Sequence, residues 1–460
     1  MAKAKSKTRF VCQACGAEAA RWMGKCPSCG TWNSLVEERA PKTERQRATG
    51  GRRPVALGEV DAETVARLPT GIGEFDRALG GGFVPGGVTL LGGDPGIGKS
   101  TLLMQVLGAF AGRGGRVLYV TGEESAAQVA LRGRRLAKAE GHTEGIEKVA
   151  LLATTELEDA LLALRSADYQ VAVIDSIQTL RDAKLESAPG TVSQLREVST
   201  QLIDLAKGRG VALSLIGHVT KDGALAGPKV LEHLVDTVLS FEGDRSGAFR
   251  MVRATKNRFG PAHELGVFEM VEDGLREVPD PSALFLAERR KEAAGSVVVP
   301  TAEGSRPLLV ELQALVAPAV YGAARRVASG VDGNRLAILL AVLDRKAEVH
   351  VLDRDVFASV AGGARVGERA TDLALALAVV SSLRGRALPE DVAAFGEVGL
   401  SGEVRAVPRA SLRVAEARKL GYRRVVLPKG NADRMSAAEQ KGSRLIAVAT
   451  LDQAIEATFD

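Results

Sequence analysis

The stretch that decides the fold is Val88-Thr89-Leu90-Leu91-Gly92-Gly93-Asp94-Pro95-Gly96-Ile97-Gly98-Lys99-Ser100-Thr101. Its apolar start predicts a buried strand, and residues 101–107 carry the spacing of a helix. Between them Gly93–Ser100 reads G-x-x-x-x-G-K-S, a loop whose backbone N–H groups turn inward toward a polyphosphate. Glycines are required because the backbone must curl through conformations that a side chain resists. Lys99 is expected to reach the β- and γ-phosphates and the Ser100 hydroxyl to sit on Mg2+. Gly93, Asp94, Pro95, Gly96, Ile97, Gly98, Lys99, Ser100 and Thr101 are therefore the candidate ATP-binding residues, helped by the partial positive charge of the helix N-terminus.

Working outward, apolar runs at 117–121, 149–152, 171–174, 211–216, 237–241 and 249–254 alternate with helical spacing at 125–138 and 192–207. That alternation predicts an α/β domain over residues 55–280, a parallel sheet covered by helices. Hydrolysis needs a metal partner and an activated water. Asp175, at the end of Val171-Ala172-Val173-Ile174, is placed to hold Mg2+ through water. Glu123, after Val117–Thr121, is placed to deprotonate the attacking water, with Glu124 as the alternative. Both glutamates would also simply favour the start of a helix at Ser125.

All four cysteines of the 460 residues lie near the N-terminus: Cys12, Cys15, Cys26 and Cys29, in the pattern C-x2-C-x10-C-x2-C. Two such knuckles, each followed by a glycine, predict a closed four-thiolate Zn2+ ribbon over residues 1–36 that organises a module and does not catalyse. Trp22 and Trp32 are expected to pack this ribbon, base stacking being the other reading. Residues 37–54 read as a polar linker. Residues 1–53 hold 12 Lys/Arg against 4 Asp/Glu, and the remainder 49 against 52, so the main body is not a uniformly basic nucleic-acid binder. With 45% hydrophobic and 25% charged residues the composition is globular. No apolar run approaches the roughly 18 residues that span a bilayer, and the basic start meets no signal core. A cytoplasmic location with no membrane association is expected.

The carboxylates on separate strands resemble the RecA-like ATPase core. The run Lys256-Asn257-Arg258-Phe259-Gly260, read with the four-cysteine ribbon, Gly93–Ser100 and Tyr119–Ser125, resembles the bacterial RadA (Sms) family of DNA repair proteins across essentially the whole chain. The resemblance implies a hexameric, DNA-dependent ATPase motor that promotes branch migration. Its expected partners are single-stranded DNA, branched recombination intermediates and a strand-exchange recombinase. Lys256 and Arg258, on a turn after strand 249–254, are candidates to reach the γ-phosphate bound by a neighbouring subunit and to couple to DNA, although most such pairs are solvated turns. His218 resembles the γ-phosphate sensor at the end of strand 211–216, and Lys221 and Lys229 sit in the Gly-rich stretch that follows, a candidate DNA loop. Residues 181–190 form a second candidate loop.

Pro279-Asp280-Pro281 marks a boundary, and residues 281–460 form a second α/β unit with strands expected at 296–299, 308–315, 348–351 and 425–428 and helices at 334–344, 371–383 and 411–420. This unit resembles the Lon proteolytic domain, best over Gly399–Pro408. The alignment places Ala370 at the nucleophile and Arg413 at the lysine of the Ser–Lys dyad, so no peptidase activity is expected. Arg405, Arg409, Arg413, Arg418, Lys419, Arg423 and Arg424 would instead form a basic patch for ring assembly or duplex DNA. Two other readings stay open. A RecA-fold signalling ATPase acting on protein partners is opposed by the ribbon and Lys256–Gly260, and an ATP-dependent Lon-like protease by Ala370 and Arg413.

Overall fold

The computed structural model describes residues 8–13, 16–39, 66–138, 143–218, 230–243, 249–290, 292–304, 306–319, 324–363 and 366–459. The chain divides into two compact units, Met1–Glu277 and Val278–Asp460. Cys15, Lys221 and Lys229 lie outside the described residues, as does most of the expected linker.

In the first unit a ribbon of β1 (Thr8–Cys12), β2 (Glu18–Ala19) and β3 (Leu35–Arg39) forms an antiparallel sheet in the order β2-β1-β3. Strand β3 runs past residue 36, because Glu37, Glu38 and Arg39 pair with Phe10, Arg9 and Thr8.

The larger sheet follows from α1 (Gly73–Leu79), β4 (Val88–Gly93), α2 (Lys99–Gly112), β5 (Val117–Thr121), α3 (Ala126–Ala137) and α4 (Thr143–Ile146). Next come β6 (Ala150–Ala153), α5 (Leu157–Ser166), β7 (Val171–Asp175), α6 (Val192–Arg209), β8 (Ala212–His218) and α7 (Val230–Leu234). The unit ends with β9 (Thr237–Glu242), β10 (Phe249–Asn257), β11 (Leu265–Val271) and β12 (Gly274–Glu277). Strands β6-β5-β7-β8-β4-β9 are all parallel, and β10, β11 and β12 extend that sheet antiparallel. Helices cover both faces. Phe75, Leu103, Leu107 and Phe268 pack one, and Leu161, Leu195, Val198 and Leu202 the other. Double coverage is why β4, β5 and β7 read as unbroken apolar runs.

Two features of this larger sheet depart from the sequence reading. The β11–β12 hairpin was not expected, since its Leu265–Val271 run contains Gly266 and Glu269. Strand β10 also continues to Asn257 through a bulge between Ala254 and Lys256, so Lys256 and Asn257 end a strand that pairs with Val238 and Thr237. The turn begins only at Arg258.

The second unit contains α8 (Pro281–Leu286), β13 (Ser296–Glu303), β14 (Arg306–Pro318), β15 (Arg326–Ser329), α9 (Gly333–Lys346), β16 (Arg354–Val360) and α10 (Asp372–Arg384). It continues with β17 (Val392–Ala394), the small hairpin β18 (Glu397–Val398) and β19 (Val404–Arg405), α11 (Ala410–Lys419), β20 (Arg424–Pro428), α12 (Lys429–Ala432), α13 (Ala437–Gln440), β21 (Arg444–Val448) and α14 (Leu451–Phe459). Its main sheet has the order β15-β16-β14-β13-β17-β20-β21. The strand expected at 348–351 is a helix-terminal turn. Glu348 has φ 53° and the Val349 N–H returns to the Leu343 carbonyl at 3.0 Å. The strand starts six residues later, at Arg354.

Helix α1 lies across β11 at a position that tolerates only glycine. A Cβ on Gly266 would stand 2.1 Å from the Glu74 carbonyl oxygen, while Glu74 Oε2 accepts from the Val267 N–H at 2.9 Å. Gly266→Ala should therefore push α1 off the sheet and cost about 1–3 kcal/mol. Thermal unfolding checks this, and an unchanged Tm would contradict the packing.

Candidate nucleotide and zinc sites

Strand β4 is hydrogen-bonded on both sides, with Gly93 opposite His218 of β8 and Phe241 of β9. The loop that leaves it is shaped by sterics. A Cβ on Gly93 would meet the Phe241 carbonyl at 2.6 Å, and Gly98, at φ 114°, would meet Met270 at 2.9 Å. Ile97 is buried and anchors the loop, while Asp94, Pro95 and Gly96 are exposed at its crest. Lys99 opens α2 and is 4% exposed, and its ammonium donates to the Gly93 carbonyl at 2.7 Å and the Asp94 carbonyl at 2.9 Å. Burial holds its pKa below the usual lysine range, against the opposing pull of Asp175, Glu123 and Asp94.

Parallel register brings the carboxylates to the same edge, with Asp175 opposite Thr121, two residues before Glu123. Between them is a buried network that sequence reasoning missed. The Tyr119 phenol donates to Asp175 Oδ2 and accepts from Arg132 Nη2 at 3.1 Å. The phenol thus ties the expected Mg2+ ligand Asp175 to Arg132 of α3, and burial followed by the Asp175 charge pushes its pKa well above the tyrosine range. A tyrosine in the middle of a fully buried strand was the available signal, because a buried hydroxyl needs partners.

The two glutamates separate. Glu123 Oε1 accepts from the Ser176 hydroxyl at 2.5 Å and its charge is felt at Lys99. Glu124 pairs with Arg132 at 2.6 Å, turned toward α3. That helix is capped by Ser125 and Gln128 in a reciprocal box, with neither glutamate as the cap.

Lys256 and Arg258 lie elsewhere. Because β10 runs antiparallel to β9, Asn257 pairs with Thr237 at the strand's start, while Phe241 near its end flanks Gly93. The Lys256–Gly260 run is therefore at the sheet edge opposite the loop of its own chain. Lys256 Nζ donates to the carbonyls of Glu232 at 2.6 Å and Val235 at 2.8 Å, and Arg258 pairs with Asp236 at 3.1 Å. Burial, then the neighbouring Arg258 charge, lowers the Lys256 pKa. The His218 backbone ends β8 beside Gly93.

In the ribbon, the Sγ atoms of Cys12, Cys26 and Cys29 all lie within 4.8 Å of one another, and those of Cys12 and Cys29 are 3.7 Å apart. Zn–S bonds of ~2.3 Å at tetrahedral angles put sulfurs about 3.8 Å apart, so the thiolates fit zinc. Gly16 and Gly30, at φ 74° and 75°, turn each knuckle so that their N–H groups reach the Cys12 and Cys26 carbonyls. Trp22 and Trp32 do not pack this ribbon, being 56% and 68% exposed. Its apolar centre is Cys12, Cys26 and Leu35.

In the second unit Ala370 is buried, and Arg413 is 1% exposed, not part of a surface patch. The Arg413 guanidinium grips Glu368 through both oxygens, at 2.7 and 2.5 Å, and also donates to the Pro300 and Pro408 carbonyls. Others of the expected basic patch are likewise engaged: Arg405 with Glu403, Lys419 with Asp280 and Arg424 with Asp391.

Comparison with known proteins agrees with this layout. Residues 58–224 match an AAA domain, 10–37 a rubredoxin metal binding domain, and 359–431 the subunit ChlI of Mg-chelatase. The chain is 50% identical to the DNA repair protein RadA of Pseudomonas aeruginosa over 99% of its own length and 100% of that protein. It is 47% identical to the DNA repair protein RadA of Escherichia coli over the full length of both. The RadB recombinase structure matches 46% of this chain and 99% of its own, at 23% identity and a TM-score of 0.37. ATP, Mg2+ and Zn2+ are the ligands that this RecA-like α/β core and ribbon call for. Among the described residues no helix is long and apolar enough to cross a membrane.

Cys26→Ser should abolish zinc retention and loosen the ribbon while leaving ATP binding at Gly93–Ser100 intact. Zinc content and binding of a fluorescent ATP analogue test it together, and full zinc occupancy in the variant would contradict the assignment.

Proposed function

The chain belongs to the RadA family of DNA repair proteins, and on that premise we propose that it is an ATP-driven DNA translocase that processes branched recombination intermediates. The family accounts for ATP hydrolysis and a role in recombination and repair. The observation that carries the finer reading is the convergence of Lys99, Ser100, Glu123 and Asp175 on one sheet edge, with Lys256 and Arg258 on the other.

The loop N–H groups hold the polyphosphate, and Lys99 exchanges the Gly93 and Asp94 carbonyls for phosphate oxygens. Its charge is poorly solvated at rest and is therefore strongly attractive to an anion. Ser100 and Asp175 would hold Mg2+, which neutralises phosphate charge when bound, and Tyr119 fixes the Asp175 carboxylate. Glu123, aimed by the Ser176 hydroxyl, takes the proton of the attacking water. Glu124 is left to position α3 through Arg132. Lys256 and Arg258 cannot reach their own loop, so they complete the site of a neighbour in a homo-oligomeric ring, a hexamer by family expectation. His218, beside Gly93, relays the phosphate state to residues 219–229, where Lys221 and Lys229 contact the DNA backbone. A strand-exchange recombinase is the protein partner and the cytoplasm the location. Peptidase chemistry finds no support, since Arg413 is an always-charged guanidinium committed to Glu368 and Ala370 offers no nucleophile.

Lys99→Ala should remove turnover. Glu123→Gln should lower kcat by about 10²–10⁴-fold with ATP binding retained, and Glu124→Gln by less than about tenfold. Steady-state ATPase assays with and without single-stranded DNA decide this, with DNA raising the wild-type rate. A larger loss at Glu124 would reverse the two assignments, and a rate indifferent to DNA would remove the translocase reading.

A further inference from the structure

The chain has two tryptophans, and both stand on the ribbon with more than half of their surface in solvent, at 56% and 68% exposure. Leaving two indoles in water is unfavourable unless something covers them. Their placement is not casual. Trp22 and Trp32 flank Gly24, where a Cβ would lie 3.6 Å from Trp32 Cζ3 and 3.8 Å from Trp22 Cη2. The segments that carry them are tied by a bridge between Lys25 and Trp32 and by the Asn33 N–H donating to the Gly24 carbonyl at 2.7 Å. Lys25 Nζ sits 5.6 Å from the Trp32 ring centroid, and Arg21 next to Trp22 is exposed.

We propose that this face, Trp22 and Trp32 across Gly24 with Arg21 and Lys25 beside them, is a stacking platform for the bases of single-stranded DNA. Aromatic rings take the faces of unpaired bases whatever their sequence, and the flanking cations take the phosphates. Charge selects this occupant over an apolar peptide, because the two charged residues beside the indoles, Arg21 and Lys25, are both exposed cations. The ribbon is also seated against the start of α6, the helix that follows the 181–190 candidate loop. Gln13 Oε1 accepts from the N–H of Val192, the first residue of α6, at 3.2 Å. The inference rests on the proposed DNA-binding function for the identity of the strand and adds a contact outside the ATPase core.

Because no other tryptophan exists in the chain, indole emission reports this face alone. The test titrates the full chain with a fluorescently labelled oligodeoxythymidylate, reading label anisotropy and tryptophan emission, and repeats it with an abasic strand of equal length. Emission should be quenched over the range in which anisotropy rises, and the abasic strand should leave it unchanged. Trp22→Ala and Trp32→Ala should each weaken binding several-fold with zinc content and DNA-independent ATPase rate unchanged. Gly24→Glu, which keeps both indoles and sets a carboxylate between them, should weaken binding and remove the quench. Saturating anisotropy with unchanged emission, or equal quenching by the abasic strand, overturns the platform and leaves the translocase reading standing. Quenching by a recombinase protein but not by the oligonucleotide overturns it in favour of a protein-docking face. No anisotropy change at all removes both readings.

Discussion

The nucleotide edge hangs on one constraint: the backbone from Gly93 to Gly98 must turn its N–H groups inward while remaining an extension of the buried strand β4. Neighbours enforce it from every side. The Phe241 carbonyl forbids a side chain at Gly93, and the left-handed backbone at Gly98, φ 114°, strains any residue with a Cβ. Ile97 is sunk in the core, with its carbonyl accepting from Arg250 Nε at 3.2 Å. The loop therefore does not pay a large ordering entropy when an anion arrives, because its shape exists beforehand. Lys99 is held in waiting on two loop carbonyls, partly desolvated, so phosphate oxygens need displace little water.

Strand β4 also joins the two sheet edges. At its far end the Val88 N–H donates to Asp236 Oδ2 at 3.1 Å, and the same buried carboxylate pairs with Arg258. A six-residue strand spans about 20 Å and, being paired on both sides, moves as a rod. In the proposed two-subunit site, β4 thus links the edge that senses phosphate to the edge that would face a neighbour. In the second unit the Arg413–Glu368 grip makes a packing element of the place where the Lon resemblance puts a catalytic dyad. A guanidinium buried to this degree is tolerable because carbonyls and a two-oxygen carboxylate satisfy it.

Much of this was legible in the residues. The strand–loop–helix at 88–107, the apolar run ending in Asp175 and the two cysteine knuckles each carry a local pattern with one economical physical solution. What escaped is non-local. Tyr119 meets Asp175, and Ser176 meets Glu123, only because parallel register sets β5 beside β7, and nothing within either run announces it. Glu123 and Glu124 are adjacent and chemically alike, so only the direction of each side chain separates them. The tryptophans were misjudged because a small ribbon seemed to need large residues for its core, whereas its cysteines and Leu35 suffice. Likewise Lys256 read as a turn residue, whereas the bulge at Thr255 carries β10 three residues further, to Asn257.

The central claim is that one ATP site is built from two subunits. Mixing Lys99→Ala chains, which lack a working loop but keep the Arg258 edge, with Arg258→Ala chains, which have the converse, tests it directly. ATPase activity measured across mixing ratios should rise well above that of either variant alone, because some interfaces then pair an intact loop with an intact Arg258. Activity that merely averages the two parents would contradict the account and confine Arg258 to its own chain.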